Sequence, residues 1–360
     1  MAIQLCIFED ESVTQLNPLV YVRPVYDLRC GITTLREKIE HGFPKMKPTL
    51  LCRSFLADVV RQQNPGSTVN EFKGEEFLFV NGRAILDAQL IKRLGRTTGE
   101  VAFVQGGAVV AARVRRASAE RLRGKLGQVL CAEDFTGLVP SGIAREEVKT
   151  VLLSYPWEFV ARNGKQIVSD FSWCVKAATC GVATRGVAKG KKKPPVALPT
   201  IHKSVHLLKK KDIHIGEGTV IKPGVVIDAE EGPVFIGKNV KVFPQATIIG
   251  PCYIGDNSVI KVGAQIYEDT SIGPMCKVGG EVEAMIMQSH SNKQHAGFIG
   301  HAFLGSWVNL GADTNNSDLK NNYGSVKVMV NGKSIDTGSQ FVGLTMGDHS
   351  KSSINSMFNT

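Results

Sequence analysis

No apolar run in this 360-residue chain approaches the roughly 18 residues that a membrane-spanning helix needs. The start, Met1-Ala2-Ile3-Gln4-Leu5-Cys6-Ile7-Phe8, carries no basic segment ahead of its apolar one, so we expect a cytoplasmic protein with no membrane role. Eight cysteines are scattered without a C-x-x-C pair or zinc-like spacing, and they read as reduced structural thiols. Aromatic residues make up 7% of the chain, and none is interleaved with the basic group Arg113, Arg115, Arg116, Arg121, Arg123 and Lys125 to stack bases. Much of the remaining excess charge lies in Lys189-Gly190-Lys191-Lys192-Lys193-Pro194-Pro195, a hinge-like run. The net charge of +10 is therefore read as solvated surface, or as attraction for small phosphorylated substrates, and not as a nucleic-acid interface.

What the chain does contain divides in two, as its length suggests. Strand-like and helix-like segments alternate at first: strands at 3–8, 49–52, 77–80, 101–104 and 109–114, helices at 31–41 and 55–63. This predicts an α/β, Rossmann-like domain over residues 1–185 with a largely parallel sheet. A Lys/Pro-rich linker at 186–199 follows, with Tyr155-Pro156-Trp157-Glu158-Phe159-Val160 expected at the seam between the domains.

Residues 200–360 have a different rhythm. An aliphatic residue returns every sixth position at Ile236, Val242, Ile248, Ile254, Ile260, Ile266, Ile272 and Val278. Four places after each stands a small or β-branched residue: Val240, Ala246, Cys252, Ser258, Ala264, Thr270, Cys276 and Val282. A six-residue period fits neither a helix nor an alternating strand, and it predicts a left-handed parallel β-helix with three hexads per triangular coil. The aliphatic points inward and the small residue fits beneath a corner. The phase extends back through Ile227, Ile221 and Ile215 and forward to Phe298, Leu304 and Leu310. Residues 341–360 still read as coil without a polar cap, so we expect a truncated solenoid or one covered by a partner.

After Val278 the hexads fail. Residues 281–295 bring His290, Lys293 and His295 where aliphatics belong, and residues 309–322 hold five asparagines, Asn309 included. A solenoid that interrupts itself usually does so on its binding face, so a loop is expected here.

At His295-Ala296-Gly297-Phe298-Ile299-Gly300, Val308-Asn309-Leu310-Gly311-Ala312 and Asn322-Tyr323-Gly324 the sequence resembles the bifunctional N-acetylglucosamine-1-phosphate uridylyltransferase/glucosamine-1-phosphate N-acetyltransferase family, in its divergent branch found in Bacteroidetes. The resemblance implies acetyl-coenzyme A as co-substrate and His295 as the general base that deprotonates an attacking amine. It places Asn309 in the substrate and acyl pocket, Gly311 and Ala312 beside coenzyme A, and Asn322 and Tyr323 where the site closes, while Lys293 reads either as a phosphate contact in that pocket or as an exposed side chain. His290 and His301 are read as structural. Phe298 stands where the family has a phosphate-contacting tyrosine, and the family's upstream lysines fall on Glu283 to Ile286, which opens the choice of sugar. A homotrimer is implied as well.

For the first domain the resemblance implies nucleotidyl transfer from UTP to a sugar 1-phosphate with magnesium. Leu16-Asn17-Pro18-Leu19 through Pro24-Val25 keeps the skeleton of the family's phosphate-binding phrase but has Val25 in place of its lysine. Glu9-Asp10-Glu11-Ser12-Val13-Thr14-Gln15 replaces the glycine-rich loop. Arg23 and Arg29 are candidates for the missing positive charge, or are fold-locking ion pairs. Asn81-Gly82-Arg83 resembles the strand end that positions magnesium, with Arg83 in the aspartate's place and Asp87 as the substitute ligand. Three functions follow from this reading: a bifunctional enzyme, an acyltransferase with a degenerate first domain, or a non-enzymatic scaffold.

Overall fold

The computed structural model describes residues 3–138, 143–179 and 197–359. Its contacts divide into two compact units, Met1–Leu28 with Thr34–Tyr155, and Arg29–Thr33 with Pro156–Thr360.

The first unit is a seven-stranded sheet ordered Ala144–Glu147, Val101–Gln105, Ala108–Arg115, Glu76–Asn81, Ile3–Phe8, Pro48–Leu50, Thr68–Val69. The central strand Ile3–Phe8 pairs in parallel with both neighbours, and only Ala108–Arg115 runs against its partners. Both faces of this sheet are covered, as alternation along the strands requires. Leu5, Ile7, Leu78 and Val80 enter one apolar cluster, whereas Cys6, Phe8, Phe77 and Phe79 enter the other. The expected α/β domain with a largely parallel sheet is present.

The second unit is a left-handed parallel β-helix with three faces. The first face stacks Thr200–Ile201, Val220–Ile221, Lys241–Val242, Val259–Ile260, Lys277–Val278 and Asn292–Lys293; the second runs from His206–Leu208 to Phe298–Gly300, the third from Ile213–Ile215 to Thr345–Met346. Every hexad aliphatic from Ile236 to Val278 is buried, and so is each small partner from Val240 to Val282. Corners use the left-handed conformation even without glycine, at Asn239, Asn257, Met275, His290, Trp307 and His349 along one edge.

Three expectations need correction. The failure of the hexads after Val278 does not mark a loop, because parallel pairing continues through Val278↔Lys293, Val282↔Ile299 and Met287↔Leu304. What changes is corner length: the inward residues come closer together, at Val278, Val282 and Met287, so the register slips against a strict count of six. For the same reason Ile299, and not Phe298, points inward beside Leu304 and Leu310. The real excursion comes later, between Leu319 and Phe341, which bridge antiparallel at the base of a hairpin formed by Lys327–Val330 and Lys333–Asp336.

The domain boundary also differs from residue 185. By packing, the break lies at Tyr155/Pro156, inside the expected seam, and the 24-residue helix Pro156–Thr179 belongs with the solenoid. Its buried stripe contains Asn163, Gly164 and Asp170 among the apolar residues, which hides the helical period in the sequence. Asn163 accepts from the Gly31 amide at 2.7 Å and donates to the Asp269 carbonyl at 2.7 Å. Asp170 accepts from the amides of Ile32 and Thr33 and from the Thr33 hydroxyl. A Cβ on Gly164 would lie 1.6 Å from the Asp269 carboxylate, so the helix can approach this closely only through glycine. Residues 186–196 of the expected linker lie outside the described residues.

Candidate active site

His295 is exposed at the corner between the first and second faces. Among the described residues its imidazole makes no hydrogen bond or ring contact, unlike its two neighbours in sequence. His290 stacks on Trp307 with ring centroids 4.7 Å apart, and His301 shares a hydrogen bond of 2.8 Å with Asp318 while stacking on Phe341 at 5.1 Å. Those two rings are held by packing, as expected.

The coil above His295 carries Asn309, Gly311 and Ala312. Leu310 donates to the Asn292 carbonyl at 2.9 Å and Asp313 to the Ala296 carbonyl at 3.2 Å, which sets Ala312 one coil above His295. Asn309 is exposed on the first face leading into this corner and accepts from the Asn292 side chain at 2.6 Å, so the two amides form a short ladder. Gly311 has a packing role: its N–H donates to the Ser352 hydroxyl at 3.0 Å, and a Cβ there would lie 2.3 Å from the Ser353 carbonyl oxygen. That amide is therefore not available to an oxyanion.

Two expected pocket residues are placed elsewhere. Lys293, read as a phosphate contact or an exposed side chain, is only 2% exposed and points into the prism. Its ammonium donates to the carbonyls of Gly279 at 2.9 Å, His295 at 3.2 Å and Gly297 at 2.6 Å, which uses all three N–H bonds. Burial lowers its pKa to about 8, partly offset by Asp313 and Glu281. Asn322 and Tyr323 lie on the 319–341 excursion, which leaves the coil after Asn315–Asn316, at the far end of the second face from His295. Asn322 closes its own turn by accepting from the Gly324 amide, and Tyr323 is exposed with a left-handed backbone.

The residues of the first 185 that were expected to hold phosphate or metal are engaged with other groups of the protein. Arg83 is 4% exposed; its Nε sits 3.0 Å and 2.9 Å from the two Asp10 oxygens, Nη2 is 2.8 Å from Asp10, and Nη1 donates to Ser154 at 3.1 Å. Asn81, fully buried, donates to Asp10 at 2.7 Å and to the Val109 carbonyl at 3.0 Å. Gly82 is required because a Cβ would press on the Phe8 carbonyl and Tyr26 at 2.9 Å. Asp87 caps the helix Ala88–Arg96 by accepting from Leu90 at 2.7 Å. Arg23 is half-buried and acts on Asp27, whose carboxyl is raised by burial and lowered again by Arg36 and Arg23. Arg29, in the second unit, is buried with its guanidinium 5.0 Å over the Tyr253 ring and donates to the Ile32 carbonyl. The arginines are thus fold-locking groups.

Sequence reasoning passed over Arg53 and took Glu9 only as part of the segment that replaces the glycine-rich loop. Glu9 is buried and accepts from the Val25 amide at 2.9 Å and from Arg53 Nε at 3.1 Å, while Arg53 also donates to the carbonyls of Val20 and Arg23. Burial raises the Glu9 pKa and Arg53 pulls it back. Residues 9–25, which in the expected site would wrap phosphates, are tied down by this pair. The residues expected to hold magnesium do not fit it: Arg83 is itself a cation paired with Asp10, and Asp87 caps a helix.

Residues 5–179 match the model of the sugar nucleotidyl transferase family. Residues 233–268 match the bacterial transferase hexapeptide model, in six repeats. Among curated proteins, the bifunctional protein GlmU of Geotalea uraniireducens is 34% identical over 134 residues, 32% of this chain and 28% of that one. GlmU of Acaryochloris marina is 33% identical over 105 residues, 29% of this chain and 22% of that one. GlmU of Thermotoga petrophila is 32% identical over 120 residues, 28% and 26% of the two chains. The matches thus span less than a third of these relatives' length. Among solved structures, the UDP-N-acetylglucosamine acyltransferase from Campylobacter jejuni matches at 22% identity and a TM-score of 0.23, over 35% of this chain and 60% of that one.

Proposed function

We propose that this protein is a transferase of sugar-nucleotide biosynthesis whose solenoid N-acetylates a hexosamine phosphate resembling glucosamine 1-phosphate. The observation that carries the reading is the exposed, unbonded imidazole of His295 directly below the Gly311–Ala312 coil. The sugar's amine attacks the thioester carbonyl of acetyl-coenzyme A, the amine proton passes to His295, the C–S bond breaks, and the coenzyme leaves as a thiol after taking up that proton. An imidazole can take up a proton and give it back, which suits both transfers. Asn309, exposed on the approach to the same corner, would orient the sugar. We carry with this reading a cytoplasmic homotrimer whose partners are small molecules, with no nucleic-acid or membrane role.

A second reading adds nucleotidyl transfer from UTP in the first domain, favoured by the match of residues 5–179 to sugar nucleotidyl transferases. The Asp10–Arg83 and Glu9–Arg53 pairs oppose it, and we derive no step for it. The test is thiol release from acetyl-coenzyme A with glucosamine 1-phosphate, which wild type should support and His295→Ala should lose. Pyrophosphate release from UTP and N-acetylglucosamine 1-phosphate reads the second reaction separately. A protein that shows neither activity and fails to bind coenzyme A would be a scaffold.

A further inference from the structure

The inward column on the first face reads Ile221, Val242, Ile260 and Val278, then Lys293, then Leu310. A cation in an aliphatic stack costs several kcal/mol unless every donor is satisfied, and an apolar side chain of similar volume would serve the core at least as well. Here the three donors are satisfied by backbone carbonyls alone. Two of those carbonyls, of His295 and Gly297, belong to the turn that carries the imidazole; the third, of Gly279, belongs to the coil below. The turn is built around the ammonium in other ways. Gly297 has φ +109°, and a Cβ there would lie 2.2 Å from the Thr314 carbonyl oxygen; a Cβ on Gly280 would lie 2.9 Å from Lys293 Nζ.

We propose that Lys293 is a positioning residue for His295, an internal clamp that fixes the turn from which the imidazole is presented. This rests on the acyl-transfer reading for its functional part. The charged groups that face the ammonium are Glu281 and Asp313. Loss of one proton from the ammonium removes one of its three donors, so the clamp weakens as pH rises through about 8.

The experiment compares wild type with Lys293→Met, an uncharged chain of similar length. Amide hydrogen exchange across residues 294–298 should accelerate about tenfold, the scale of one or two lost hydrogen bonds, while exchange in the coils from 236 to 278 stays the same. With glucosamine 1-phosphate, kcat should fall about tenfold with the KM for acetyl-coenzyme A little changed, since a displaced base affects the chemical step. Unchanged exchange in the turn overturns the clamp, and accelerated exchange with unchanged kcat overturns the positioning role. If wild type has no acetyltransferase activity, the functional reading fails, and the rate of His295 modification by diethyl pyrocarbonate then decides positioning: an altered rate in Lys293→Met supports it and an equal rate overturns it. If the variant does not fold, wild-type exchange at pH 7 and pH 9.5, corrected for intrinsic rates, replaces it. Selective loss of protection at 294–298 supports the clamp, and none overturns it.

Discussion

Arg83 grips Asp10 with Nε within 3.0 Å of both carboxylate oxygens, and both side chains are out of solvent. The pair occupies the strand ends where a nucleotidyl site would need open charge, so its removal should read as a loss of stability. Arg83→Met leaves Asp10 buried without its guanidinium and should lower unfolding free energy in urea by about 3–5 kcal/mol. A loss below about 1 kcal/mol, the level of a surface pair, would show the strand ends to be more open than the geometry indicates.

Gly311 distinguishes packing from cofactor binding. With a Ser353 carbonyl oxygen 2.3 Å from the position of its Cβ, Gly311→Ala forces two coils apart. Overpacking of this kind costs about 1–3 kcal/mol, visible as a lower melting temperature without any ligand. An unchanged melting temperature with weakened coenzyme A binding would instead return Gly311 to the site.

The solenoid should be acid-sensitive through His214. Its ring stacks on Phe235 at 4.4 Å, and burial lowers its pKa below 6.5, with Lys238 adding to the effect and Asp256 opposing it. With the folded pKa below the unfolded one, the unfolded chain binds more protons in this window, so stability is complete above about pH 6.5 and declines as pH falls. Melting temperatures taken between pH 7.5 and pH 5 should show the decline, and His214→Phe should flatten it.

His301 and Asp318 tie the base of the 319–341 excursion to the coil beneath, with Phe341 laid on the imidazole. Asp318→Ala should loosen the excursion without melting the prism. Trypsin cleavage after Lys327 or Lys333 should then speed up while the melting temperature changes little; equal cleavage rates would mean that the Leu319–Phe341 bridge suffices by itself.

The prism was legible from residues because a closed triangular coil demands one apolar side chain per face, and Ile236 to Val278 meet that demand at constant spacing. Lys293 escaped the same logic. Its residue type signals a surface or a phosphate, and only the three carbonyls around it turn a cation into a core residue. His295 and Ala312 were brought together as the resemblance implied, whereas Asn322 and Tyr323 were not, because the chain departs on a hairpin just before them. The arginines of the first domain left both meanings open in the sequence; their partners Asp10, Ser154 and Tyr253 lie far along the chain, and only the fold chooses between them. The helix Pro156–Thr179 was missed since Asn163, Gly164 and Asp170, chosen for contact with residues 29–33 and 269–271, interrupt its apolar stripe.

The Arg29 amide donates to the Gln288 side chain across 259 intervening steps of the chain, and Gly31 bonds to Ser271 across 240. Such contacts close late, after loop-closure entropy has been met by everything between them. During synthesis from the amino end, residues 29–33 leave the ribosome early, meet Asn163 and Asp170 only when the helix Pro156–Thr179 emerges, and gain their bonds to Ser271 and Gln288 only with the fourth and fifth coils of the prism. Until then a segment in the middle of the first domain's sequence holds only part of its native contacts, and the order of translation becomes part of how this protein reaches its fold.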